Sequence, residues 1–65
     1  MKAKYWIVED GLERKGTAKD FKYYYNDFCK SVMDDKGNVF DKGGIPLKDV
    51  ALIYNPQGIA IAGRN

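Results

Sequence analysis

Apolar positions recur along this chain with two different periods. From Ala3 to Val8 (AKYWIV) they are aromatic and β-branched, which predicts a strand with Ala3, Tyr5 and Ile7 on one face and Lys4, Trp6 and Val8 on the other. Glu9-Asp10-Gly11 ends it, and Gly11 to Gly16 (GLERKG) is expected to be a charged loop bounded by two glycines. The period then changes. Ala18, Phe21, Tyr25, Phe28 and Val32 follow i, i+3, i+4 spacing, flanked by Tyr24, Cys29 and Met33, and residues 17–35 contain no Gly or Pro. This predicts an amphipathic helix from Ala18 to about Met33. Thr17 suits its N-cap and Asp20 its first turn, and Asp34-Asp35-Lys36-Gly37 is expected to stop it, with Gly37 as a left-handed cap.

Short β signals follow. Asn38-Val39-Phe40 predicts a very short strand before the turn Asp41-Lys42-Gly43-Gly44. Val50 to Asn55 and Ile59 to Gly63 flank Pro56-Gln57-Gly58, whose residues are those of a hairpin turn. Ile45 to Asp49 reads as extended or as a single turn. A short helix from Pro46 through Tyr54 is the alternative, and the propensities of Val50, Ile53 and Tyr54 weigh against it. The expected fold is α+β, a single amphipathic helix packed on a small, mostly antiparallel sheet in the order β-α-(short β)-β-β. At 65 residues, residues 1–65 make a single domain.

The second hairpin is apolar in both directions. Simple alternation sends Val50, Leu52 and Tyr54 one way and Ala51 and Ile53 the other, with Ile59 and Ile61 opposed to Ala60 and Ala62. A sheet with one wet face alternates apolar with polar. One helix covers one face, so the other requires a lid, either the segment 36–47 or another chain. The first strand repeats the pattern, with Tyr5 on one face and Trp6 on the other.

Composition narrows the means of stabilisation. A domain this small buries only ~60% of the surface its unfolded chain exposes. Cys29 is the single cysteine and there is no histidine. An intrachain disulfide and a structural zinc site are therefore excluded, and neither a metal nor a cofactor is expected. Nine aromatic residues (five Tyr, three Phe and Trp6) remain as core material. The longest uncharged apolar stretch, Val50 to Tyr54, is far short of the ~20 residues of a membrane span. With one thiol and no signal-like start, a cytoplasmic location is expected.

The candidate chemistry is sparse. Without histidine there is no Ser-His or Cys-His relay, and Glu9/Asp10 and Asp34/Asp35 are adjacent pairs whose carboxylates diverge. Enzymatic activity is not expected. A non-enzymatic protein-binding role is, as inhibitor, adaptor or regulator, in a form suited to phage or mobile-element effectors. Self-association through the sheet is expected too. Tyr5, Trp6, Tyr23 and Tyr54 are the candidate contact residues, aromatic anchors on strands or beside helical lysines. A second reading is an oligomer that binds a small anionic ligand such as a nucleotide. Gly11 and Gly16-Thr17 lie between a strand and a helix in the order of a phosphate loop, without the lysine such a loop needs. Arg14, Lys15, Gly16, Thr17 and Lys19 would hold the anion at the helix start. Nucleic acid is a third reading, with Tyr5, Trp6 and Tyr54 stacking bases beside Lys2 and Lys4. A net charge of +2 is too mild to favour it.

Overall fold

The computed structural model describes residues 4–65. Ala3, given above to the first strand, and Lys2, a candidate in the nucleic-acid reading, lie outside the described residues. Six strands and one helix follow in the order β1 (Tyr5–Glu9), β2 (Leu12–Gly16), α1 (Ala18–Phe28), β3 (Ser31–Asp34), β4 (Val39–Asp41), β5 (Val50–Tyr54) and β6 (Ala60–Arg64). A 3-10 turn at Leu47–Asp49 leads into β5. The strands form one antiparallel sheet in the order β2-β1-β6-β5-β3-β4, with α1 packed on one face. The fold class is the expected one, with two more strands than the apolar pattern indicated. Among the described residues no helix is long and apolar enough to cross a membrane.

The first added strand is β2, where a charged loop was expected. The turn before it explains the difference. Asp10 and Gly11 both have positive φ, 53° and 79°, and they link the paired residues Glu9 and Leu12. Two central residues of positive φ make the type I′ hairpin turn for which Asp-Gly is a preferred pair. Four of the five β2 residues are exposed, so no core face imposed an apolar period on the strand. Its Glu13, Arg14 and Lys15 make it a charged sheet edge, which discourages pairing with foreign strands.

The second is β3, which takes the last third of the predicted helix. The i+4 step from Phe28 to Val32 coincides with helical spacing, yet Cys29 is already extended, at φ −79° and ψ 131°. An eleven-residue helix is about 16 Å long, matching five-residue strands that rise about 17 Å. Continuing to Met33 would overhang the sheet and leave Val32 without neighbours. As a strand, Val32 sits between Phe40 and Ile53 and is fully buried. The Asp34–Gly37 stop signal is real, but it closes the β3–β4 hairpin rather than a helix. Asp34 Oδ1 accepts the amides of Lys36 and Asn38, each at 2.9 Å.

The helix begins as expected. Thr17 Oγ1 accepts the Asp20 amide and Asp20 Oδ2 accepts the Thr17 amide, both at 3.1 Å, completing a capping box. The core is Ile7, Phe21, Val32, Val50, Ile53 and Ala62. Tyr5, Tyr24, Tyr25, Cys29, Phe40, Ile45, Leu47 and Ile61 pack against it. Phe40, Ile45 and Leu47 belong to the segment considered above as a lid for the second face, and they lie on the helix side instead.

Thr17→Ala should cost about 1 kcal/mol and lower the melting temperature by roughly 4–8 °C for a domain of this size. Thermal denaturation followed by circular dichroism checks this.

Candidate functional site

The pairing register orders the side chains of the sheet into two rows across all six strands. On the helix side run Arg14, Ile7, Ala62, Ile53, Val32 and Phe40. On the outer side the corresponding row is Lys15, Trp6, Gly63, Leu52, Met33 and Val39. Val8 opposite Glu13, and Tyr54 opposite Ser31 and Ala60, extend the outer face along the strands. Trp6, Val8, Met33, Leu52 and Tyr54 are partly exposed and belong neither to the core nor to the residues packed on it. The outer face is thus a continuous apolar surface with no layer of the described residues over it.

Strict alternation in the hairpin is corrected by two register shifts. One lies beside Met33/Asp34 and the other beside Ile53/Tyr54. Such bulges break the two-residue period. Val50 therefore joins Ile53 in the core, and Ile61 packs on the core beside Ala62. Leu52 and Tyr54 keep the outward direction.

Trp6 shapes the middle of the outer face. A β-carbon on Gly63 would run into the Trp6 ring at Cε2, Nε1 and Cζ2, so the indole lies directly on the Gly63 backbone. Gly63 is buried beneath it. The ring covers backbone that would otherwise face solvent, and leaves its other face outward.

Of the four candidate contact residues the structure brings together two. Trp6 and Tyr54 share the outer face. Tyr5 belongs to the helix side, where its half-buried ring packs against Phe21 of the core with centroids 5.3 Å apart, as the β1 alternation requires. Tyr23 is exposed on α1, edge-on to Tyr24 at 6.0 Å and to Phe28 at 5.5 Å. Met33 was missed as a site residue because it was assigned to the helix, and Val39 because its strand spans three residues.

The anion candidates are divided by β2 being a strand. Arg14 lies opposite Ile7 and Lys15 opposite Trp6, so their side chains leave from opposite faces. Arg14 Nε donates to Glu9 Oε1 at 3.1 Å, and this hydrogen bond raises the guanidinium pKa. Gly16, Thr17 and Lys19 do meet at the helix start, where the Asp20 carboxylate already holds the Thr17 amide.

Two titrating groups support turns and packing rather than chemistry. The amide of Asn38, its side chain and the amide of Lys36 hold the Asp34 carboxyl below the usual carboxylate range. Burial pushes the Cys29 thiol up, and Sγ donates to the Ser31 carbonyl at 3.4 Å. A protonated, half-buried thiol is a poor nucleophile. Among the described residues no group of three or more His, Cys, Asp or Glu is placed to hold a metal ion.

Compared with known proteins, the chain matches no family model, no curated protein and no solved structure.

Gly63→Ala should lift the indole off the sheet, shifting Trp6 fluorescence to longer wavelength and lowering the melting temperature. A depressed carboxyl pKa stabilises the fold above the unfolded value and loses that contribution as pH falls through the folded one. The Asp34 turn should therefore weaken on acidification below the ordinary value of 3.8. Asp34→Asn should be less stable at neutral pH and should lack that acid-dependent component, as urea denaturation across pH will measure.

Proposed function

We propose that this is a non-enzymatic binding protein that self-associates through the outer face of its sheet and acts on other proteins as an inhibitor, adaptor or regulator. The observation that carries the reading is the outer row of Trp6, Leu52, Met33 and Val39, flanked by Val8 and Tyr54, over which no part of the described chain folds. Contiguous apolar patches of this kind on a small domain mark interaction surfaces.

A second copy is the occupant favoured by size and charge. Six strands about 4.8 Å apart and roughly 17 Å long give a footprint of roughly 450 Å². Two such faces pressed together bury on the order of 1,000 Å², where specific interfaces begin. The face is also self-complementary. A two-fold axis running across the strands, between the Trp6 and Val8 rows, sets Lys15 of one copy over Glu13 of the other, twice. Face-to-face sheets of this kind interdigitate at about 10 Å.

Catalysis finds little support by comparison. The Thr17–Asp20 and Asp34–Asn38 groups are engaged in caps and turns, and the Cys29 thiol is held protonated.

Sedimentation over a concentration series should give a reversible dimer with a dissociation constant in the micromolar range. Leu52→Lys, on the partly exposed outer face, and Val39→Lys, at an exposed position, should keep the monomer fold and weaken the dimer at least tenfold. A wild-type chain that stays monomeric at several hundred micromolar would overturn the self-association.

A further inference from the structure

The outer face does not account for most of the apolar side chains the chain leaves in solvent. Among the described residues these are Leu12 at 73%, Val39 at 61%, Ile59 at 59%, Tyr23 at 54% and Phe28 at 44% exposure. Val39 is at the edge of the outer face. Three of the others are gathered at one end of the molecule, with Tyr23 leading up to them on the helix. The β1–β2 turn carries Leu12 there, and β6 runs antiparallel to β1, so the preceding turn with Ile59 lies at the same end. The helix finishes there with Phe28, two residues before Lys30 donates its amide to the Tyr54 carbonyl.

Between these elements is a cleft of about 280 Å³. Tyr24 and Phe28 line the helix side, Ile61 and Val8 the strands, and Pro56 and Gln57 the opposite turn. Both walls are held in place before anything binds. Tyr24 Oη donates to the Val8 carbonyl at 2.9 Å, and its ring meets Phe28 edge-on at 5.5 Å. Across the cleft, Asn55 Oδ1 accepts the amides of Gln57 at 3.0 Å and Ile59 at 2.9 Å. Two acidic residues line this cleft, Glu9, whose carboxylate is paired with the Arg14 guanidinium at 3.1 Å, and Asp10, which has no ion-pair partner among the described residues.

We infer that this cleft is a second protein-recognition site, one that receives an apolar side chain from an extended peptide whose neighbouring residue is Lys or Arg. The volume lies at the lower edge of the ~300–1,000 Å³ of small-molecule sites and suits one or two side chains. Apolar walls take the anchor. Asp10 sets the sign of the adjacent charge, and the Tyr24 and Phe28 rings offer π faces to the same cation. Exposed Leu12 and Ile59 lie at the turns at the same end of the sheet, and exposed Tyr23 meets Phe28 edge-on at 5.5 Å. The site adjoins the outer sheet face at Val8, whose carbonyl holds Tyr24, and is otherwise lined by different residues.

The test uses two synthetic peptides, acetyl-Gly-Lys-Leu-Trp-Lys-Gly-amide and its counterpart with Glu at both Lys positions, titrated into ¹⁵N-labelled full-length protein. The basic peptide should give saturable amide shifts at residues 8–10, 24, 28, 55 and 57–61, and the acidic peptide should bind at least tenfold more weakly. Phe28→Ala should weaken the basic peptide about tenfold. Asp10→Asn should weaken it about threefold at low salt and leave the turn intact, because Asn tolerates the positive φ of that position. Leu52→Lys should bind the peptide as the wild type does. Equal binding of the two peptides, no shifts at millimolar peptide, or shifts confined to Trp6, Met33, Leu52 and Tyr54 would overturn the cleft assignment. Shifts of the last kind would leave the outer face standing as a binding surface.

Discussion

Burial of Ile7, Ala62, Ile53 and Val32 in one row across the sheet, capped by Phe21 from the helix, is the constraint from which the other features follow. Each large apolar side chain taken fully out of water contributes about 1.5–3 kcal/mol, more than any cap or surface ion pair in this molecule. The row needs four adjacent strands in register. It therefore draws β3 out of the predicted helix and limits α1 to the length of the sheet beneath it. The two bulges serve the same end, because they turn Val50 and Ile61 toward the helix where plain alternation would place them otherwise.

That solution leaves the opposite face apolar. A chain of this size has one helix to spend, and the long connection after β4 packs Phe40, Ile45 and Leu47 onto the side the helix already covers. Trp6 offers partial relief by lying on Gly63, but it cannot cover Leu52, Met33 and Val39 further across the same row. The outer face and the end cleft are different kinds of surface. The first is broad, nearly charge-balanced and self-complementary, while the second is small, preformed and acidic at its rim. The proposed self-association would use the first and the proposed peptide recognition the second, with Val8 where the two adjoin.

Several elements were legible because one local rule determined each. The alternation of β1, the Thr17 cap, the Pro56–Gly58 turn and the excess of apolar β surface needed no distant partner to be read. β2 was not legible from apolar period, since an edge strand with both faces in water has none; its signal was the Asp10-Gly11 turn chemistry. Val32 misled because a spacing of four fits a helix face and also, by coincidence, the distance from a helix end to an inner strand. Tyr5 and Trp6 had equal claims as contact residues until the sheet acquired a helix side. Arg14 and Lys15 were neighbours in a loop but diverge on a strand.

By itself, then, the sequence determined the class of fold, the start of the helix, the position of the turns and the presence of more apolar strand than one helix can shelter, since those depend on side-chain chemistry over a few adjacent residues. Tertiary structure decided where the helix stops, which aromatic residues are core and which face outward, and how Tyr24, Phe28, Pro56 and Ile61 come to enclose a cleft. These depend on strand order and register, and residues more than thirty positions apart are brought into contact only when the whole sheet is assembled.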